Sequence, residues 1–184
     1  MKVTVDPPVF SIVNYDAGRI AAVVQDVAAL VGLPDDVSIE VAVNEQTPFG
    51  KTSTAVHGRS VVLFVESGAF EDLQRVREFS EANTRLVLGR LLYRVADRLD
   101  PAFGDPPPDA ELTPAEHTAW DAYAVGRYSR RAGVDGGRGR RRYAFRIRHG
   151  FNDDADRAFD RLWAGSGLTW SDIRTLASAK APSG

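Results

Sequence analysis

The sequence contains no cysteine. That absence removes disulfides, thiolate nucleophiles and cysteine-ligated zinc together, and it fits a reducing compartment. Histidine is almost as scarce. His57, His117 and His149 are the only three, and no two stand at the spacing of paired metal ligands. Each reads as a surface histidine: His57 in a turn, His117 early in a helix, His149 in a loop. Only folding, not spacing, would make a metal site, for example from His117 with Asp100, so no metal is expected. No apolar run reaches the roughly 20 residues that a membrane-spanning helix needs. The opening Met-Lys-Val-Thr-Val-Asp-Pro-Pro lacks the apolar core of a signal peptide. The expectation is a cytoplasmic protein without a membrane partner. Neither sign of charge dominates: 23 Lys and Arg oppose 25 Asp and Glu, for a formal net charge of -2. No global field therefore draws in nucleic acid. Glycine-rich signatures are missing too. Gly165-Ser166-Gly167 lacks the nucleophile-elbow pattern, and Gly136-Gly137-Arg138-Gly139-Arg140 matches neither a dinucleotide nor a P-loop motif. No cofactor is expected.

What is present is ordinary globular material. At 184 residues, 43% apolar and 26% charged, the chain reads as one domain over residues 1–184 with a substantial core. Its bias toward Arg, Ala, Asp and Gly is that of a GC-rich bacterial genome. Residues 9–13 read as a short strand. Asp16 caps a helix over 17–31, with Ile20, Val23, Val24, Val27 and Leu30 at helical spacing and Gly32 as its stop. Residues 37–43 alternate as a half-buried strand. Residues 52–56 and 60–65 flank His57-Gly58-Arg59 as a hairpin, with the apolar second arm as a central strand. A long helix is expected over 70–99, broken near 80–83. Its apolar stripe starts at Leu73, Val76 and Phe79 and continues through Leu88, Leu91, Leu92, Val95 and Leu99. Asp100-Pro101 ends it. Residues 104–109 form a proline-rich linker, and Thr113-Pro114-Ala115-Glu116 starts a helix through a capping box. Residues 133–139 read as a flexible glycine-rich loop and 140–148 as extended. Asn152 and then Thr169 or Ser171 open two further helices, and residues 181–184 form a frayed tail.

This order, with a hairpin just before a long helix, is similar to that of the zincin-like metallopeptidase family. The resemblance spans residues 9–103. It implies an α+β fold: a minimal domain with a small mixed sheet packed against a long central helix, plus C-terminal helices. In that family the helix carries His-Glu-x-x-His. Its two histidines bind zinc and its glutamate polarises the zinc-bound water. Here the matching register reads Arg90-Leu91-Leu92-Tyr93-Arg94. Arg90 and Arg94 stand at the histidine positions and Leu91 at the glutamate. Asp97 takes the position of a following glycine, and Asp100 alone matches a permitted third ligand. A guanidinium has no lone pair to donate and repels a cation. Leucine cannot act as a general base. The resemblance thus implies a degenerate active site, a pseudoenzyme without zinc peptidase activity.

Without the family, Arg90, Arg94 and Asp97 share one face of a helix, and Arg127 can reach an acid on it. Two readings stay open: a solvated polar face, or a cleft in which Arg90, Arg94, Asp97, Asp100 and Arg127 act on an anionic ligand or substrate. A second cluster is basic. Arg138, Arg140, Arg141, Arg142, Arg146 and Arg148 crowd into residues 138–148 with Tyr143 and Phe145. They could bind a small anion or nucleic-acid backbone, or pair with Asp153, Asp154 and Asp156. Trp120, Tyr123 and Tyr128 read as core of the helix after residue 113. The leading expectation is a non-catalytic binding or regulatory protein, with a protein partner or a small anionic ligand. An enzyme acting on an anion and a nucleic-acid binder are the alternatives.

Overall fold

A computed structural model describes residues 1–72 and 74–178 of the chain. Leu73, expected to open the apolar stripe, and the tail expected to fray lie outside the described residues. The fold is α+β, with two compact units: one of Met1–Ala96 and one beginning at Asp97.

In the first unit a four-stranded mixed sheet has the order β1-β2-β4-β3, formed by β1 (Lys2–Asp6), β2 (Ser38–Asn44), β4 (Ser60–Glu66) and β3 (Thr52–His57). β1, β2 and β4 run parallel, and β3 closes the edge as the antiparallel arm of the expected hairpin. Strict alternation sends Ile39, Val41, Val43, Val61, Leu63 and Val65 inward. The helix α1 (Ala17–Val31) crosses from β1 to β2 and buries Ile20, Val23, Val24 and Val27. The Asp16 carboxylate accepts from the Arg19 N–H at its start, and Gly32, at φ 86°, ends it in the left-handed region.

Two expectations in this unit are corrected. Residues 9–13 form no strand; β1 lies upstream. Pro7 and Pro8 supply no N–H donors for a ladder. The Glu45 carboxylate instead accepts from the backbone N–H groups of Ser11 at 2.9 Å and Ile12 at 2.7 Å. Nor does the long helix begin at residue 70. Residues Glu71–Asp72 (β5) pair with Arg75–Phe79 (β6) as a small antiparallel sheet, and α2 (Glu81–Leu99) starts at the expected break. Val76 and Phe79 fit a helical spacing, but Val76 is exposed, so the true stripe begins only at Leu88. The Asn83 side chain donates to the carbonyls of Ala69 and Glu71, tying the first turn of α2 to the small sheet.

The second unit holds the last residues of α2, from Asp97 onward, and four further helices: α3 (Pro114–Ala132), α4 (Arg138–His149), α5 (Asp153–Ala164) and α6 (Trp170–Ala177). α3 is central and packs on α4, α5 and α6. Its capping box is complete: the Thr113 hydroxyl accepts from the Glu116 N–H, and the Glu116 carboxylate accepts from the Thr113 N–H. Trp120, Tyr123, Phe145, Phe159, Leu162 and Ile173 form the core. Gly126 lets α3 and α5 approach backbone to backbone, since a side chain there would run into the Trp163 carbonyl.

Residues 140–148, expected to be extended, lie within α4. Phe145 and His149, one turn apart, are its buried contacts. No side chain caps this helix. Gly137, at φ 70°, opens it, so the usual start signal is missing from the sequence. Arg138 and Gly139, expected in a loop, belong to its first turn. The proline-rich segment is held in place: Arg98 donates to the Pro107 carbonyl at 2.9 Å and to Asp109 at 2.8 Å. Among the described residues no helix is long and apolar enough to cross a membrane.

Candidate functional site

Along α2 the residues read as a degenerate site are largely withdrawn from water. Leu91 is 0% and Arg94 1% exposed, and Asp97 is 4% exposed. A solvated polar face is therefore not what these positions form. Arg90 is half-buried, and its guanidinium donates to the Thr52 hydroxyl on β3 at 2.6 Å. Asp100 is exposed, and its carboxylate accepts from the Ala102 N–H at 2.9 Å, a turn contact at the helix end.

Within the second unit Asp97 is the best-furnished acid. Arg127 of α3 grips it with two hydrogen bonds, 2.8 Å to Oδ1 and 2.6 Å to Oδ2. The Trp120 indole N–H donates to Oδ2 at 2.7 Å. A bidentate guanidinium and an indole together balance the desolvation of that carboxylate. The Arg127 guanidinium also lies 3.9 Å from the centre of the Tyr123 ring. Burial raises the pKa of the Tyr123 phenol, an effect the Arg127 charge opposes. Arg98 covers Trp120 from the other side, 4.5 Å from its ring, while paired with Asp109. Phe103 and Trp170 flank the same indole at 5.5 and 5.2 Å. The arrangement is a buried ion-pair network around one tryptophan.

Histidine chemistry is equally bounded. His57 ends β3 in an exposed turn, as expected. His117 stands 3.7 Å from Asp121, one turn along α3. His149 is neither in a loop nor at the surface: it ends α4, buried and stacked on Phe145 at 3.7 Å. Burial lowers its pKa, and backbone contacts at Ala177 and Ala115 partly offset that. Among the described residues no group of three or more His, Asp or Glu is placed to hold a metal ion.

The basic cluster falls into two sets. Arg138 and Arg142 both pair with Asp160. Arg146 grips Asp156 with a second bond, from Nε, of 2.7 Å, which raises the arginine's pKa and lowers the aspartate's. Arg141 donates to the Gly136 carbonyl at 2.9 Å. Of the three acids expected to pair with this cluster, Asp156 does so; Asp154 pairs with Arg157 instead, and Asp160 was not foreseen. Arg140 and Arg148 are exposed and make no ion pair among the described residues. Between them α4 carries Tyr143 and Ile147, exposed by 60% and 56%, and past its Gly150 C-cap Phe151 is exposed by 64%. Tyr143 and Phe151 touch edge to face at 5.8 Å. Sequence reasoning missed this face. The signal is the spacing of four between Tyr143 and Ile147, unreadable while the segment is taken as extended; Phe151 joins them from beyond the helix end.

The second unit also has an open groove of about 720 Å³, lined by Phe103, Asp105, Trp170, Arg174 and Thr175 among others. Arg174 stands 3.5 Å from Glu116. No family model, no curated protein and no solved structure matches the chain.

Proposed function

We propose that the chain is a non-catalytic binding or regulatory protein, a zincin-like pseudo-peptidase in which α2 has kept its place but not its chemistry. One observation carries the reading. The three positions that zinc hydrolysis would need on α2 hold Arg90, Leu91 and Arg94, and Leu91 and Arg94 have almost no contact with water. A permanently protonated guanidinium and an aliphatic side chain can neither ligate a cation nor take a proton. The alternative of an enzyme acting on an anion through the Arg and Asp residues has less support, because Asp97 is already held by Arg127 and Trp120. A nucleic-acid role for the basic cluster has less support as well, because Asp156 and Asp160 occupy three of its arginines.

Metal analysis of the purified full-length chain is the test. Zinc well below one equivalent after exposure to excess zinc and buffer exchange is the expected result, with no zinc-dependent cleavage of an unfolded protein substrate. Stoichiometric zinc that is lost on Arg90→Ala or Arg94→Ala substitution would sink the reading.

A further inference from the structure

We propose that the exposed face of α4 is a docking surface for an amphipathic helix of another protein whose apolar stripe is bordered by carboxylates. Tyr143 and Ile147 stand one turn apart on α4, Phe151 from beyond the Gly150 C-cap packs back onto Tyr143, and the small Ala144 leaves room beside them. Three large apolar side chains in one patch, each more than half exposed, are costly on a free surface and suit the apolar face of a docking helix. Tyr143 and Phe151 hold each other in place, so little side-chain freedom is lost on contact.

Charge selects the occupant. Arg140 lies one turn before Tyr143 and Ala144, and Arg148 one turn after Ala144. Neither pairs with an acid among the described residues, whereas Arg138, Arg142 and Arg146 of the same helix are neutralised by Asp156 and Asp160. The two guanidiniums border the apolar patch and call for carboxylates opposite. A second copy of this face supplies them poorly: the acids that follow the patch, Asp153 and Asp154, lie beyond the end of α4, and Asp154 is already paired with Arg157. A uniformly anionic surface, lipid or nucleic acid, meets the exposed Asp153 and Asp154 two and three residues after Phe151. Ile147, one turn from Tyr143, also offers nothing on which a base could stack. A helix with apolar residues along one line and Glu or Asp beside it satisfies all three anchors and both arginines. This surface lies wholly on α4 and the residue run after it, so it stands or falls independently of what α2 once did.

The probe is a synthetic helical peptide with leucines at heptad a and d positions and glutamates at e and g. Its partner control carries lysines in place of the glutamates. Either is titrated into the isotope-labelled full chain and followed by amide chemical shifts. The glutamate peptide is expected to shift amides of residues 140–151 and few others. Ile147→Asp is expected to weaken it about tenfold or more, and Arg148→Glu to weaken it while strengthening the lysine peptide. Both substitutions sit on exposed positions, and an unchanged spectrum away from α4 shows that the variants fold. The proposal is overturned if the glutamate peptide leaves these amides unmoved, or if both peptides bind alike. It is equally overturned if oligothymidylate, phosphatidylglycerol vesicles or simple self-association moves these amides while the glutamate peptide does not.

Discussion

Asp97 shows what one residue can carry. Its carboxylate accepts two bonds from Arg127 and one from Trp120, out of contact with water. Asp97→Ala leaves a buried guanidinium and an indole N–H unpaired. It is expected to cost about 3–5 kcal/mol in urea unfolding, the usual cost of breaking a buried pair from one side. Asp97→Asn keeps an acceptor for Trp120 and should cost less. The sequence showed that Arg127 could reach an acid on α2, but not that the pair would be buried, because burial depends on helices far along the chain. His149 gives a pH dependence. Burial lowers its folded pKa below the unfolded value of about 6.5. Above that value both states are neutral and the stability is fully present. As pH falls below it, the unfolded chain binds a proton that the folded chain resists, so stability declines until the lower folded pKa is passed. The unfolding midpoint should therefore drop between pH 7 and pH 5, by at most about 1.4 kcal/mol per pH unit for one proton. His149→Phe, which preserves the stack on Phe145, should flatten that slope.

At the scale of elements, local chemistry decided what could be read in advance. α1, α3, α5 and α6 all open on a side chain that caps them, Asp16, Thr113, Asn152 and Thr169, and each helix begins where that residue places it. α4 has only Gly137 at its start, and its arginines fit any exposed conformation, so its helical state comes from packing Phe145 and His149 into the unit. β5 and β6 were hidden for the converse reason: Arg75, Val76, Arg77 and Glu78 are all exposed and leave no alternation to read. β1 was hidden because it is a short edge strand with only half-buried Val3 and Val5. Two substitutions separate kinds of helix constraint. Thr113→Ala removes a cap and should cost about 1 kcal/mol. Gly126→Ala drives a methyl into the Trp163 carbonyl where α3 meets α5, and should cost about 1–3 kcal/mol by forcing the two backbones apart. Thermal unfolding of the two variants checks that order.

Over the whole molecule, the presence of both helices and strands followed from the periodicities, whereas the pairing of strands did not. Nothing in the sequence specifies that β2 lies between β1 and β4, since long-range order depends on contacts rather than local preference. That order predicts a gradient of protection: in hydrogen exchange the amides of β2 and β4, inside the sheet, should outlast those of the edges β1 and β3. Each unit has its own buried residues, Ile20 through Val65 in one and the aromatic cluster around Trp120 in the other. The placement of that cluster has an optical consequence. All three tryptophans, Trp120, Trp163 and Trp170, belong to the unit that begins at Asp97, and the first unit has none. Indole emission therefore reports the melting of the helical unit alone, and one of its indoles is enclosed between Phe103, Trp170 and a guanidinium. The sheet unit is dark at that wavelength, and its unfolding must be followed by circular dichroism or through Tyr15 and Tyr93.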